Sequence, residues 1–374
     1  MPRAVQRNYR IFDFSFSIAA RSSRPLRLFD IVYRNFREKD DYQPGLRYEV
    51  VSSKTRRKAL FLKSEERVFP FHHFRSEESQ LFKLLTDELY RKVSSHFLIH
   101  GGGVCSQGKG VIVSGESGTG KSSLVVKLLA HGFEFLSDEI VPVNKKTGMM
   151  ECFPRSVGLR REVQPWLKSG LDLFGKEEFD FSTGHKYFLN PLQLEPEKRG
   201  EPCPPAYFLY LARPRSGPEE KIVVHLVIES SGQAFVNSLD KLEEVKIIGY
   251  RKKANQIYLK VEVSRKASVL KEYLDLYRKY RENIIHSERS KEGEVSFSQE
   301  PEIVPLPLNE MSLLILKQLK EETVISRLRE NKFRTSGAYW LSLVETMNLA
   351  KVKGYKIHVG RIEETTGFIQ SLFT

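Results

Sequence analysis

A mixed-sheet α/β fold preceded by a β-rich N-terminal module is what this 374-residue sequence predicts, and three features carry the prediction. Phe12, Phe14, Phe16 and Ile18 alternate with mostly polar partners, the period of a half-buried strand. Residues 110–132 run from a short apolar stretch through a glycine-rich loop into an apolar helix closed by Gly132. Beyond residue 301, helix-spaced and strand-like segments alternate again, ending in a strand at 355–359 and a short helix.

Taken in order, the first seventy residues read as strands. Segments 48–51 and 59–62 flank the basic run 54–58, which reads as a solvated turn. Leu81, Leu84, Leu85, Leu89 and Val93 then mark an amphipathic helix over 76–95, opened by Ser76 with Glu77 and Glu78 in its first turn. Short apolar runs at 97–100, 111–113, 140–143 and 207–211 predict strands. Two more, at 222–227 and 257–261, precede a charged helix over 267–285. Val269, Leu270, Tyr273, Leu274 and Tyr277 give that helix one apolar face, for its own core or for a subunit interface in an oligomer. Residues 287–300 look like a polar linker, Arg251, Lys252 and Lys253 like a solvated turn, and helices follow at 311–328 and 338–350. The expected division is a β-rich module at 1–95, a core at 96–216, an α/β insertion and linker at 217–300, and a segment at 301–374 that completes the core.

Hydrophobic residues are 40% and charged residues 29% of the chain, so wholesale disorder is excluded. A formal charge of +13 favours phosphate-bearing or acidic partners. Cys105, Cys152 and Cys203 form no CxxC or CxxH pairing, which argues against a zinc site or disulfide framework and for a reducing compartment. With no export signal and no run of eighteen apolar residues, the expectation is a cytoplasmic protein without a membrane partner.

One segment carries chemistry. Gly115-Glu116-Ser117-Gly118-Thr119-Gly120-Lys121-Ser122 fits GxxxxGK[ST], with a strand running in and a helix running out. In that context Gly115, Ser117, Gly118, Thr119, Gly120, Lys121, Ser122 and Ser123 would turn main-chain N–H groups onto phosphate oxygens at a helix N-terminus. Lys121 would neutralise the β and γ phosphates of ATP or another nucleoside triphosphate, and the Ser122 hydroxyl would ligate Mg²⁺. The plain alternative is a glycine-rich turn before an ordinary helix. Asp138 and Glu139 follow on the next strand, where an acid can accept a hydroxyl proton beside the γ-phosphate or hold the metal. Adjacent residues on a strand face opposite ways, so one acid alone reaches the phosphate unless the strand bulges or ends there. This spacing argues against transport and motor ATPases, and the Val141-Pro142 junction keeps the next segment extended rather than helical.

Residues 97–143 resemble the catalytic core of HPr kinase/phosphorylase and its relatives, through His100, the loop Gly115 to Ser122, and the run 132–143; segment 153–160 resembles a stretch of the related kinases. The resemblance implies a P-loop fold of the phosphoenolpyruvate-carboxykinase-like type and Mg²⁺-dependent phosphoryl transfer to a serine hydroxyl. It also implies roles: Lys121 on phosphate, Ser122 and Glu139 on the metal, Asp138 as the base, and His100 close to Asp138 to orient it. Glu139 stands where the bifunctional enzymes have a second aspartate, and their arginine-glycine segment has only a faint echo in Leu171 to Gly175. The implied acceptor is therefore a serine-like hydroxyl of a protein or peptide, by analogy with kinases that modify precursor peptides.

Among other residues, Arg155, Arg160, Arg161 and Lys186 could clamp a phosphate or an acidic acceptor; the bland alternative is a solvated loop. Arg213 and Arg215 end the 207–211 strand, where ligand sites of α/β sheets gather. His72 and His73 point apart on a strand, and Phe69, Phe71 and Phe74 read as a packed aromatic cluster. The absence of RNP, KH or helix-turn-helix patterns argues against nucleic acid as partner. Two rival readings share these residues: a small-metabolite kinase acting on a free hydroxyl, and a nucleotide-dependent binding or regulatory protein with an acidic partner.

Overall fold

A computed structural model describes residues 5–52, 60–64, 68–70, 77–160, 186–213, 221–253, 255–264, 266–290, 300–320 and 333–374. The N-terminal part is a sheet. Strands β1 (Val5–Ile11) and β2 (Phe14–Ala20) form a hairpin, followed by helix α1 (Arg27–Val32), β3 (Arg37–Glu38), β4 (Leu46–Ser52), β5 (Leu60–Ser64) and β6 (Val68–Pro70). Their order across the sheet is β3-β1-β2-β4-β5-β6, with β4 parallel to β2. Helix α2 (Glu77–Lys92) buries Leu81, Leu85 and Leu89 against the sheet, the stripe its spacing requires. Tyr9, Phe16, Phe29 and Tyr33 interlock there, with Tyr33 stacked on Phe29 at 4.4 Å between centroids. His72, His73, Phe71, Phe74, Ser76 and the basic run 54–58 lie outside the described residues, whereas Phe69 packs on this core.

The β1–β2 turn is tied to the chain that leaves α2. Asp13 accepts from the Ser94 and Ser95 hydroxyls at 2.6 and 2.7 Å, and from both amides. Partial burial alone would raise this carboxyl, but the serine hydrogen bonds outweigh it and hold the pKa below its ordinary value. A depressed folded-state pKa stabilises above the unfolded value and loses that contribution as the pH falls through the folded one. Asp13→Asn is therefore expected to cost about 1 kcal/mol at pH 7 after solvent screening, shrinking as the pH falls below the ordinary carboxylate range, as read by urea denaturation across that fall.

The middle of the chain builds a second sheet. Strands β7 (His96–His100), β8 (Gly102–Ser106) and β9 (Lys109–Gly115) lead into α3 (Lys121–Ala130), then β10 (Glu134–Ser137), β11 (Ile140–Asn144), β12 (Val157–Arg160), β13 (Lys186–Leu189) and β14 (Pro205–Ala212). Next come β15 (Lys221–Glu229), α4 (Gln233–Leu239), β16 (Val245–Lys253), β17 (Gln256–Ser264), α5 (Ala267–Lys279) and β18 (Ile284–Ser290). The chain closes with β19 (Glu302–Leu306), α6 (Leu308–Gln318), α7 (Phe333–Thr346), β20 (Lys353–His358) and α8 (Ile362–Ser371).

The main sheet runs β10-β8-β9-β14-β20-β19, so the end of the chain sits beside the glycine-loop strand. Strands β9, β14 and β20 are mutually parallel, β8 and β19 flank them antiparallel, and β10 pairs antiparallel with β8 at the edge. Side chains alternate along them: Val111, Val113, Leu209 and Leu211 pack with α3 and α8, while Ile112 and Phe208 pack with α6 and α7. This is a mixed α/β sheet covered on both faces, and the carboxyl ends of its three parallel strands meet at Gly115, Ala212 and His358.

Residues 221–290 carry their own core and follow β-α-β-β-α-β order with sheet order β16-β17-β15-β18, the split βαβ arrangement. Several expectations are corrected. The charged helix stops at Lys279 instead of 285, because the β-branched pair Ile284 and Ile285 starts β18, which pairs with β15. Part of the expected polar linker is thus an edge strand, and its polarity reflects that position. Arg251, Lys252 and Lys253 end edge strand β16 rather than a turn. Helix α6 begins three residues early, after Pro307, and stops at Gln318, since Leu319 is extended and bridges to Ile99. Helix α7 spans Phe333–Thr346 rather than 338–350. No helix among the described residues is long and apolar enough to cross a membrane, and Cys105, Cys152 and Cys203 are free thiols.

Candidate active site

The glycine loop joins the end of β9 to the N-terminus of α3. At Gly115 φ is +140°, and an added Cβ would lie 2.2 Å from the Leu211 carbonyl oxygen, so only glycine lets this strand lie so close to β14. Gly118 and Gly120 both have φ of +83°, and Gly120 is the N-cap of α3. The Glu116 carbonyl accepts from Thr119 Oγ1 at 2.8 Å and from Lys121 Nζ at 2.8 Å, while Lys121 also donates to the Gly115 carbonyl at 3.1 Å. The lysine thus lies over the mouth of the loop. Ser117 and Gly118 are exposed at the rim, and Ser122 and Ser123 are half-buried in the first turn of α3.

Asp138 and Glu139 occupy the corner between β10 and β11 rather than a strand. Glu139 turns the chain with φ of +71°, and its carbonyl accepts from the Gly101 amide at 3.0 Å. Both carboxylates are freed from strict strand alternation by this corner. Asp138 is only 2% exposed; Oδ2 accepts a long hydrogen bond of 3.4 Å from the Gly158 amide, and Oδ1 has no hydrogen-bond partner among the described residues. Burial, reinforced by the Glu139 charge, pushes its pKa up to about 6, with Ser122, Arg155 and the Gly158 amide pulling the other way. A buried carboxylate oxygen without a partner, beside the Ser122 hydroxyl and the half-exposed Glu139 carboxylate, suits either Mg²⁺, which takes hard oxygen donors and keeps waters, or an acceptor hydroxyl. Among the described residues no group of three His, Cys, Asp or Glu side chains forms a metal cluster.

His100 contacts the second acid of the pair. Its Nδ1–H donates to the Glu139 carbonyl at 3.0 Å and lies 3.6 Å from Glu139 Oε1, so it orders the second acid rather than Asp138. Burial lowers its pKa to about 4; Glu139 opposes this, and Lys320 and Lys121 add to it. The ring is therefore neutral at pH 7, with its proton on Nδ1. Ser114, which sequence reasoning passed over, donates to the His100 carbonyl at 2.7 Å and joins β9 to β7.

Arg155 is buried, contrary to a solvated loop. Arg160 and Lys186 face each other in the β12–β13 register, while their side chains, together with Arg161, His185, Arg215 and segment 171–175, lie outside what the structure describes. Arg213 follows β14 and pairs with Glu116 at 3.7 Å, while its carbonyl accepts from His358 Nδ1 at 2.8 Å. That links the glycine loop to the neighbouring parallel strands.

No family model matches the chain. Curated HPr kinase/phosphorylases do. The protein from Chlorobium limicola (strain DSM 245 / NBRC 103803 / 6330) is 32% identical over 77 residues, 21% of this chain and 23% of the relative. That from Chlorobium luteolum (strain DSM 273 / BCRC 81028 / 2530) is 30% identical over 82 residues, 22% and 25% of the two chains. That from Chlorobium phaeobacteroides (strain BS1) is 32% identical over 88 residues, 24% and 26%. The relationship is HPr-kinase-like. It is partial, since the matched part spans about a quarter of the length of these relatives. A solved structure of the Hpr(Ser) kinase/phosphatase from Coxiella burnetii is 14% identical, covering 49% of this chain and 95% of that one at a TM-score of 0.18, too low to carry an argument.

Proposed function

We propose that the chain is a Mg²⁺-dependent kinase of HPr-kinase type that moves the γ-phosphoryl group of a nucleoside triphosphate to a serine-like hydroxyl of a protein or peptide. The observation behind this reading is Asp138, buried with one carboxylate oxygen unpaired among the described residues, one strand beyond a lysine-bearing glycine loop. In this reading residues 96–216 and 301–374 form the kinase core, which β19 and β20 complete, and 217–300 is an insertion of the split βαβ kind.

The chain's own groups divide the work. Loop amides from Glu116 to Lys121 bind the β and γ phosphates, and Lys121 offsets their charge. Asp138 holds the acceptor hydroxyl in line and takes its proton as the new O–P bond forms and the bond to the β-phosphate oxygen breaks. Ser122 and Glu139 would hold Mg²⁺, which would supply positive charge against the charge developing on the phosphates. His100 fixes the Glu139 corner through its Nδ1–H.

The test is incubation of the full chain with γ-labelled ATP, Mg²⁺ and a serine-containing peptide library, alongside free serine and sugars. Label on peptide serines supports the reading. Label confined to free hydroxyl compounds replaces it with a small-metabolite kinase, and nucleotide binding without transfer to any acceptor overturns it.

A further inference from the structure

Arg155 is 8% exposed, and its guanidinium carbon lies 5.6 Å from the Tyr33 ring centroid and 5.8 Å from that of Phe82. Both rings belong to the N-terminal module: Tyr33 caps α1 and Phe82 lies on α2. Placing a guanidinium in such a site is costly unless opposite charge and π faces compensate. Burial opposes its charge, and Tyr33, Glu139, Tyr90 and Asp138 are the neighbours that favour the ionised form.

The segment carrying Arg155 is fastened on both sides. Toward the N-terminal module, Ser156 donates its amide to the Val32 carbonyl at 2.9 Å and its hydroxyl to the Ile31 carbonyl at 2.8 Å, and Asn35 Nδ2 donates to the Pro154 carbonyl at 2.7 Å. Toward the glycine loop, the Gly158 amide donates to Asp138 Oδ2. One short stretch therefore links α1 to the acid, with a buried cation in its middle.

We propose that Arg155 is a positioning residue for Asp138, and that the N-terminal module, through Tyr33 and Phe82, forms a wall of the phosphoryl-transfer site. This rests on the kinase reading above and assigns Arg155 a place behind the acid instead of on the transferred phosphate. Lysine cannot reproduce the role fully, because only the planar guanidinium stacks on two rings while it balances the acids.

A double-mutant cycle on the full chain tests it, with Mg²⁺-ATP hydrolysis as the turnover readout and calorimetry for nucleotide affinity. Arg155→Met is expected to lower turnover about 100-fold with the nucleotide Kd within about two-fold, and Arg155→Lys to recover part of the loss. In an Asp138→Asn background, Arg155→Met should add less than about a two-fold effect, since both act through one group. Phe82→Leu, on α2 of the N-terminal module, should lower turnover about 5- to 10-fold at unchanged Kd. The proposal is overturned if Arg155→Met leaves turnover intact, if its effect multiplies with that of Asp138→Asn, or if it weakens nucleotide binding as a phosphate clamp would. An Asp138→Asn chain that turns over at the parent rate would instead overturn the kinase reading itself.

Discussion

Asp138→Asn is expected to lower turnover about 1,000-fold while the nucleotide Kd stays within about two-fold of the parent chain. The substitution keeps the size of the side chain and its contact with the Gly158 amide. In the proposed mechanism it removes the charge that takes the acceptor's proton, so its effect falls on the chemical step. The two effects on stability oppose each other, since the neutral amide relieves the cost of burying the carboxylate but takes one acid away from the buried Arg155. Single-turnover rates and calorimetric affinity on the same preparations separate the two quantities. A parallel loss of affinity and rate would mean that Asp138 holds the nucleotide rather than the acceptor.

Gly115→Ala is expected to unfold the loop and abolish nucleotide binding. A methyl group there would meet the Leu211 carbonyl oxygen at 2.2 Å and the Leu211 amide nitrogen at 2.7 Å, both main chain of a central strand. The φ of +140° adds strain for any L side chain. Clash and strain together should cost about 3 kcal/mol or more, read as a fall in the denaturation midpoint, and should remove the 3.0 Å bond from the Glu116 amide to the Leu211 carbonyl. Gly118→Ala is the control: φ is +83°, but nothing lies within 4 Å of an added Cβ, so the loss should be smaller.

Much of this site is legible in the sequence because it is local. The loop from Gly115 to Ser122 is contiguous, and its flanking strand and helix announce themselves by apolar content. Asp138 is found by its short distance along the chain from Lys121. Its geometry is not, because the corner at Glu139 depends on a left-handed residue and on the Gly101 amide of another strand. Arg155 illustrates the harder limit: on paper it is a basic residue in a loop, and only Tyr33 and Phe82, more than seventy positions away, make it a buried cation. His100 likewise shows its true partner only when β7 and β11 pair. The polar strand β18 was hidden for the opposite reason, since an edge strand need not alternate apolar residues to pair with β15.

The most direct measurement is a crystal structure of the full chain with Mg²⁺ and a non-hydrolysable ATP analogue. The expected result is the terminal phosphate within hydrogen-bonding distance of Lys121 Nζ and the loop amides, with Asp138 Oδ1 on the side of the γ-phosphorus opposite the leaving oxygen. An analogue seated away from Gly115 to Ser122, or Asp138 turned toward bulk water with the analogue in place, would contradict it.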